Sequence, residues 1–115
     1  MNSIKWYQSF PAPITVTDAA GIIVEMNDAA AEMFKKDGGR ALIGKNVLDC
    51  HPQPARDKLR KMYVDQTKNL YTITKNGKKK LIYQTPYFSD GVFSGFVEIC
   101  LDLPEEMPHF NRDAQ

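Results

Sequence analysis

The chain has 115 residues, 43% hydrophobic and 25% charged, with a formal net charge of +1. That length fits one domain, since domains most often run to about 100–150 residues, and it is enough to bury a core and one small cavity. Near-neutrality argues against coating nucleic acid or an anionic membrane, and no apolar run approaches the ~20 residues of a membrane span.

Residues 1–10 form a short lead carrying Ile4, Trp6, Tyr7 and Phe10, and Pro11-Ala-Pro13 separates it from the first strand. Ile14 and Val16 alternate with Thr15 and Thr17, and Ile22, Val24 and Met26 alternate with Ile23 and Glu25, the period of half-buried strands. Asp18-Ala-Ala-Gly21 supplies the turn between them, with Gly21 free to take a positive φ. Asn27 or Asp28 then caps a helix whose Ala30, Met33 and Phe34 share one face. As a cap alone, Asn27→Ala costs ~1 kcal/mol and aspartate substitutes much more mildly. Lys35-Lys-Asp-Gly-Gly39 ends the helix, and Leu42, Ile43, Val47 and Leu48 fit one or two single helical turns.

Pro54 suits the first turn of a second helix reaching about Gln66, with Ala55, Leu59, Met62 and Tyr63 inward and Arg56, Lys58, Arg60 and Lys61 on a basic outer face. From residue 69 onward the pattern changes to strands: 70–75, 79–85 and 92–101 are rich in β-branched and aromatic residues. Asn76-Gly77 signals a tight type I′ hairpin, Ser89-Asp-Gly91 a looser turn, and Pro86 demands an edge or an irregularity. In the last strand Phe93, Val97, Ile99 and Leu101 share a face; Phe96 and Cys100 interrupt an otherwise polar one.

Asp18-x-x-Gly21-x-Ile23-x-x-x-Asn27, Leu42-Ile-Gly44-Lys45 and the closing run from Gly95 to Asp102, in this order and spacing, resemble the PAS sensor domain. The resemblance covers residues 11–103, leaving 1–10 as a lead and possible dimerisation helix, and 104–115 as a tail. It implies an α+β fold: a five-stranded antiparallel sheet in order 2-1-5-4-3 with helices over one face. It also implies a regulatory module that senses ligands or partners and catalyses nothing.

The chemistry-bearing residues fit that expectation. Asp49-Cys50-His51-Pro52 suggests nucleophilic catalysis or metal binding, yet adjacent side chains commonly point apart and no oxyanion turn is evident. With His109 in the tail, the sequence does not supply about four metal ligands, and Cys50 and Cys100 have no disulfide or zinc spacing. Some PAS sensors bind haem through a histidine on the long helix; residues 54–66 contain none, so only His51, just before it, could replace that ligand. Asn46-Val-Leu-Asp-Cys50 does not match the motif of covalent flavin domains. The expectation is a domain without haem or covalent flavin, its ligand unidentified, and with a structural His51.

Met33, Leu59, Met62, Tyr63, Tyr71, Ile73, Tyr83, Val97 and Ile99 are the candidate lining between helix and sheet. Plain core is the default for such a set; a pocket for a small apolar or aromatic ligand is the alternative. Trp6, Tyr7, Phe10 and Phe96 lie outside the expected core and are the candidate interface of a homodimer. The lysines around Asn76-Gly77 read as solvated charge guarding an edge. A start without signal-peptide features makes a cytoplasmic protein the expectation. The sequence therefore points to a sensory module that passes a ligand- or partner-induced change through its terminal segments, to a signalling protein in trans or to a fused output domain. A ligand-free dimerisation module and a haem-binding redox or gas sensor are the alternatives.

Overall fold

A computed structural model of the protein describes residues 4–113. Strands β1 (Ile14–Thr17), β2 (Ile23–Met26), β3 (Asn69–Lys75), β4 (Lys78–Ser89) and β5 (Val92–Leu103) form one antiparallel sheet in the order β2-β1-β5-β4-β3. Helices α1 (Asp28–Met33) and α2 (Ala55–Asp65) complete the α+β fold, with single 3-10 turns at Trp6–Gln8, Lys35–Asp37 and Gly39–Leu42. Among the described residues of the lead, Trp6–Gln8 form a single 3-10 turn.

The first hairpin closes as its residues dictate. Asp18 Oδ1 accepts the amides of Ala20 and Ile22, and Gly21 sits at φ +92°. The Leu42–Lys45 stretch then runs back along β2: Gly44 N–H donates to Ile23 O and Ile23 N–H to Lys45 O. This covers what would be an open sheet edge.

Asn27 does more than cap α1. It is fully buried, and its Oδ1 accepts from both Ala30 N (2.9 Å) and Ile14 N (2.9 Å), while Nδ2 donates to Ala12 O (2.8 Å) and Phe10 O (3.4 Å). One amide thus ties together the lead, β1 and α1. The expectation of a mild Asn27→Asp is overturned, because a carboxylate has no donor to offer the two carbonyls. Beside it Ile23, Met26 and Ala30 form a small buried cluster, joined by Phe34, Leu42 and Val47.

Both remaining hairpins are two-residue turns. Asn76 and Gly77 have φ of +53° and +75°, Asp90 and Gly91 +51° and +79°. The second is therefore tighter than its sequence suggested, with Ser89 directly opposite Val92. Pro86 is tolerated in β4 because β3 pairs only as far as Gln84, so beyond it that side needs no N–H. Gly95 is required: a Cβ there would lie 1.9 Å from Thr17 O, where β5 presses against the end of β1.

The face assignment of β5 is reversed from the expectation. Phe96, Glu98 and Cys100 point under the helices, with Phe96 and Cys100 buried, while Val97 and Ile99 pair with Val16 and Ile14 on the outer face. A register shift near Tyr87 and Phe88 brings Phe93 inward as well, against Tyr63 and Phe96. Apolar content misleads here because both faces are apolar, the outer one being partly covered by Trp6 and Tyr7.

Candidate functional site

The register of the sheet lays a polar row across its inner face. Thr15 of β1 pairs with Glu98 of β5, Glu98 with Gln84 of β4, and Gln84 with Asn69 of β3. Asn69 Nδ2 donates to Gln84 Oε1 (3.1 Å), and Gln84 Nε2 donates to Glu98 Oε2 (3.1 Å). A carboxylate only accepts, so this relay has one direction. On one side of the row lies Phe96; on the other lie Cys100, Ile82 and Tyr71.

Above the row the helical layer does not close. A cleft of about 510 Å³ opens between the sheet and the α1–α2 connection, its apolar wall made by Ile23, Met26, Phe34, Leu42 and Val47. Its polar lining includes Thr15, Tyr71, Gln84 and Glu98 from the sheet, and Asp37, Lys45, Cys50 and His51 from the connection. A second opening of about 490 Å³ continues over Tyr71, Ile73 and Cys100 past Met33. A narrow space of about 50 Å³ lies under α2 between Leu59, Met62, Tyr63 and Phe96. Glu98 borders all three.

Helix α2 is held at one end of the cleft by a hydroxyl contact. Tyr63 Oη and Thr17 Oγ1 are 2.5 Å apart; Thr17 Oγ1 also accepts Phe96 N–H (3.3 Å), and Tyr87 Oη donates to Thr17 O (3.0 Å). The Tyr63 ring stacks at a tilt on Phe96, 4.5 Å between centroids. Burial pushes the Tyr63 phenol above its ordinary pKa, partly offset by the bond to Thr17. Tyr71 is raised too, by burial first and then by the nearby Glu98 carboxylate. Burial likewise raises the Cys100 thiol.

Of the predicted lining, Leu59, Met62 and Tyr63 gather around the narrow space, and Met33, Tyr71 and Ile73 around the adjoining opening. By register Tyr83, Val97 and Ile99 point to the outer face, and of the three only Val97 borders the narrow space. Ala55 is exposed rather than inward. Phe96 is corrected most sharply, since it is buried under Tyr63 and offers nothing to a partner. Trp6 and Tyr7 instead border a separate apolar cleft of about 350 Å³ over Ile14, Val16, Val97 and Ile99 on the outer face. Phe10 stacks edge-on against Trp6 at 5.7 Å.

His51 lies at the mouth of the main cleft with Nδ1 2.6 Å from Val47 O, which leaves Nε2 free. Neither Asp49 nor Cys50 bonds to the ring, and no set of three metal-ligating side chains converges among the described residues. Sequence reasoning missed Glu98, Gln84, Asn69, Thr15 and Thr17. The available signal was a lone glutamate, Glu98, between Phe96 and Cys100 in an apolar strand.

The sheet order, the helices over its inner face and the cleft between them are accompanied by a match of the PAS fold family model to residues 6–84. The chain belongs to the PAS family. Among solved structures, the PAS fold here resembles the C-terminal domain of a Streptococcus mutans protein (24% identity, TM-score 0.68, covering 84% of this chain and 79% of that one). It is also similar to the PAS domain of Bordetella pertussis BvgS (18%, 0.65, 87% and 82%). A third is the Vibrio cholerae Aer2 receptor, described as a dual PAS-haem oxygen sensor (16%, 0.60, 81% and 95%). No curated protein sequence matches the chain. No helix among the described residues is long and apolar enough to cross a membrane.

Proposed function

We propose that this PAS domain is a cytoplasmic sensory module of signal transduction, not an enzyme, that binds a small ligand in the cleft over Glu98. Ligand binding shifts the sheet and α2, and the terminal segments relay the change to a signalling partner, in trans or on a fused output domain. The observation that supports it is the polar row under an open cleft of about 510 Å³. A closed core would strand a carboxylate away from water, which is costly unless it is paired; a ligand site uses it. PAS membership and the sensory description of the Aer2 receptor agree with this reading. Neither nucleic acid nor a membrane surface is a partner in it.

Two other readings have observations of their own. The apolar outer cleft beside Trp6 and Tyr7 favours a ligand-free module that works by homodimerisation. His51, with Nδ1 held and Nε2 free at the cleft mouth, favours a haem sensor, though Asp37 and Glu98 make the remaining lining poorly suited to a largely apolar macrocycle. Native mass spectrometry with an absorption spectrum separates all three. A retained colourless small molecule supports the main reading, an empty dimer the second, and a Soret band lost in His51→Ala the third.

A further inference from the structure

From the floor of the cleft we infer that the ligand is a small organic cation, a protonated amine with an apolar or aromatic body, its charge on Glu98. The inference rests on the reading of the cleft as a ligand site and adds the ligand's chemical class. Glu98 Oε2 is occupied by Gln84 Nε2, while Oε1 takes no hydrogen bond from the described residues. No lysine, arginine or histidine forms an ion pair with Glu98 among those residues. Of the two lysines further along that face, Lys80 is engaged with Asp102 and Lys75 is exposed to solvent beside the hairpin turn. A ligand that displaces water from Oε1 must therefore bring a donor, because a carboxylate only accepts, and a charged donor best offsets the desolvation.

The surroundings fit the same chemistry. The rings of Phe34 and Tyr71 flank the space, as aromatic faces suit an ammonium, and Asp37 adds an exposed carboxylate to the lining. Lys45 and His51 also line the cleft, but like Asp37 they are exposed to solvent, where water and salt weaken the pull of all three, which leaves the half-buried Glu98 to set the charge of the floor. Ile23, Met26, Leu42 and Val47 take the apolar body.

The test is calorimetry of the whole chain with three probes of one shape and different charge: 2-phenylethylammonium, 2-phenylethanol and 3-phenylpropionate. The ammonium should bind about tenfold or more tighter than either of the others, the margin of a hydrogen bond to a charged group. Glu98→Gln should remove that margin, bringing the ammonium to within about threefold of 2-phenylethanol on the same variant, with folding checked by circular dichroism. The wild-type comparison decides even if the variant does not fold. Equal or stronger binding of the alcohol or the carboxylate overturns the cation assignment and leaves the ligand cleft standing. No binding of any probe by folded protein at millimolar concentration overturns both.

Discussion

Replacing Asn27 perturbs three segments at once, and the size of the effect can be worked out from its bonds. Alanine removes the cap on Ala30 N, worth about 1 kcal/mol, and leaves Ile14 N–H and Ala12 C=O unpaired in a site with no solvent access. Each buried orphan costs about 1–3 kcal/mol, so Asn27→Ala should lose at least about 3 kcal/mol, several times a cap alone. Asn27→Asp should also be costly at pH 7, since a buried carboxylate would face Ala12 O where Nδ2 now donates at 2.8 Å. Burial and the facing Ala12 carbonyl raise the folded pKa of the new acid above its unfolded value, against the smaller opposing pull of the two N–H groups on the other oxygen. The folded state then binds more protons, so stability falls as pH rises from the unfolded pKa toward the folded one. Asn27→Asp should accordingly recover part of its loss near pH 4. Urea denaturation followed by circular dichroism at both pH values measures this. An aspartate variant within about 0.5 kcal/mol of wild type at pH 7, the ordinary range for a neutral surface change, would refute the reasoning and return Asn27 to a simple cap.

Gly95→Ala should be among the most damaging single changes, costing at least about 3 kcal/mol by thermal denaturation, because its Cβ would lie 1.9 Å from Thr17 O. Tyr63→Phe should cost about 1 kcal/mol through the lost Thr17 bond. Because burial raises the Tyr63 phenol, its contribution is complete below the unfolded pKa of about 10 and lost as pH rises through the folded value, so the phenylalanine variant should lose less stability in alkali. If the outer face dimerises, Trp6→Glu should give folded monomers in sedimentation, whereas Phe96→Glu should simply unfold, its side chain being 5% exposed. A wild type monomeric at high micromolar concentration would leave Trp6 and Tyr7 as an intramolecular cover.

The elements are legible in the sequence because each is punctuated locally. Asp18 and Gly21 make their turn from their own backbone and side-chain bonds, Asn76-Gly77 needs two positive φ angles, and Asn27 begins α1. Strand order comes from family resemblance, not from periodicity. The site is harder to read. Alternation along β5 separates two sets of residues but does not say which lies under the helices, and both sets are apolar. Choosing the more apolar set puts Val97 and Ile99 inside and Phe96 outside, the reverse of the structure. Glu98 then reads as a solvent-facing residue. The fourfold bonding of Asn27 is hidden for a different reason: Ala12 and Phe10 reach it across the fold, through backbone carbonyls that leave no mark in side-chain patterns.

The central claim is that the space between helices and sheet is a ligand site and not a core awaiting closure. A crystal structure of the purified protein tests it most directly. The account predicts the cleft held open over Glu98, with a bound molecule or ordered water at Oε1 and the Asn69–Gln84–Glu98 relay intact. A helical layer collapsed onto Tyr71, with Glu98 turned out to solvent, would contradict it.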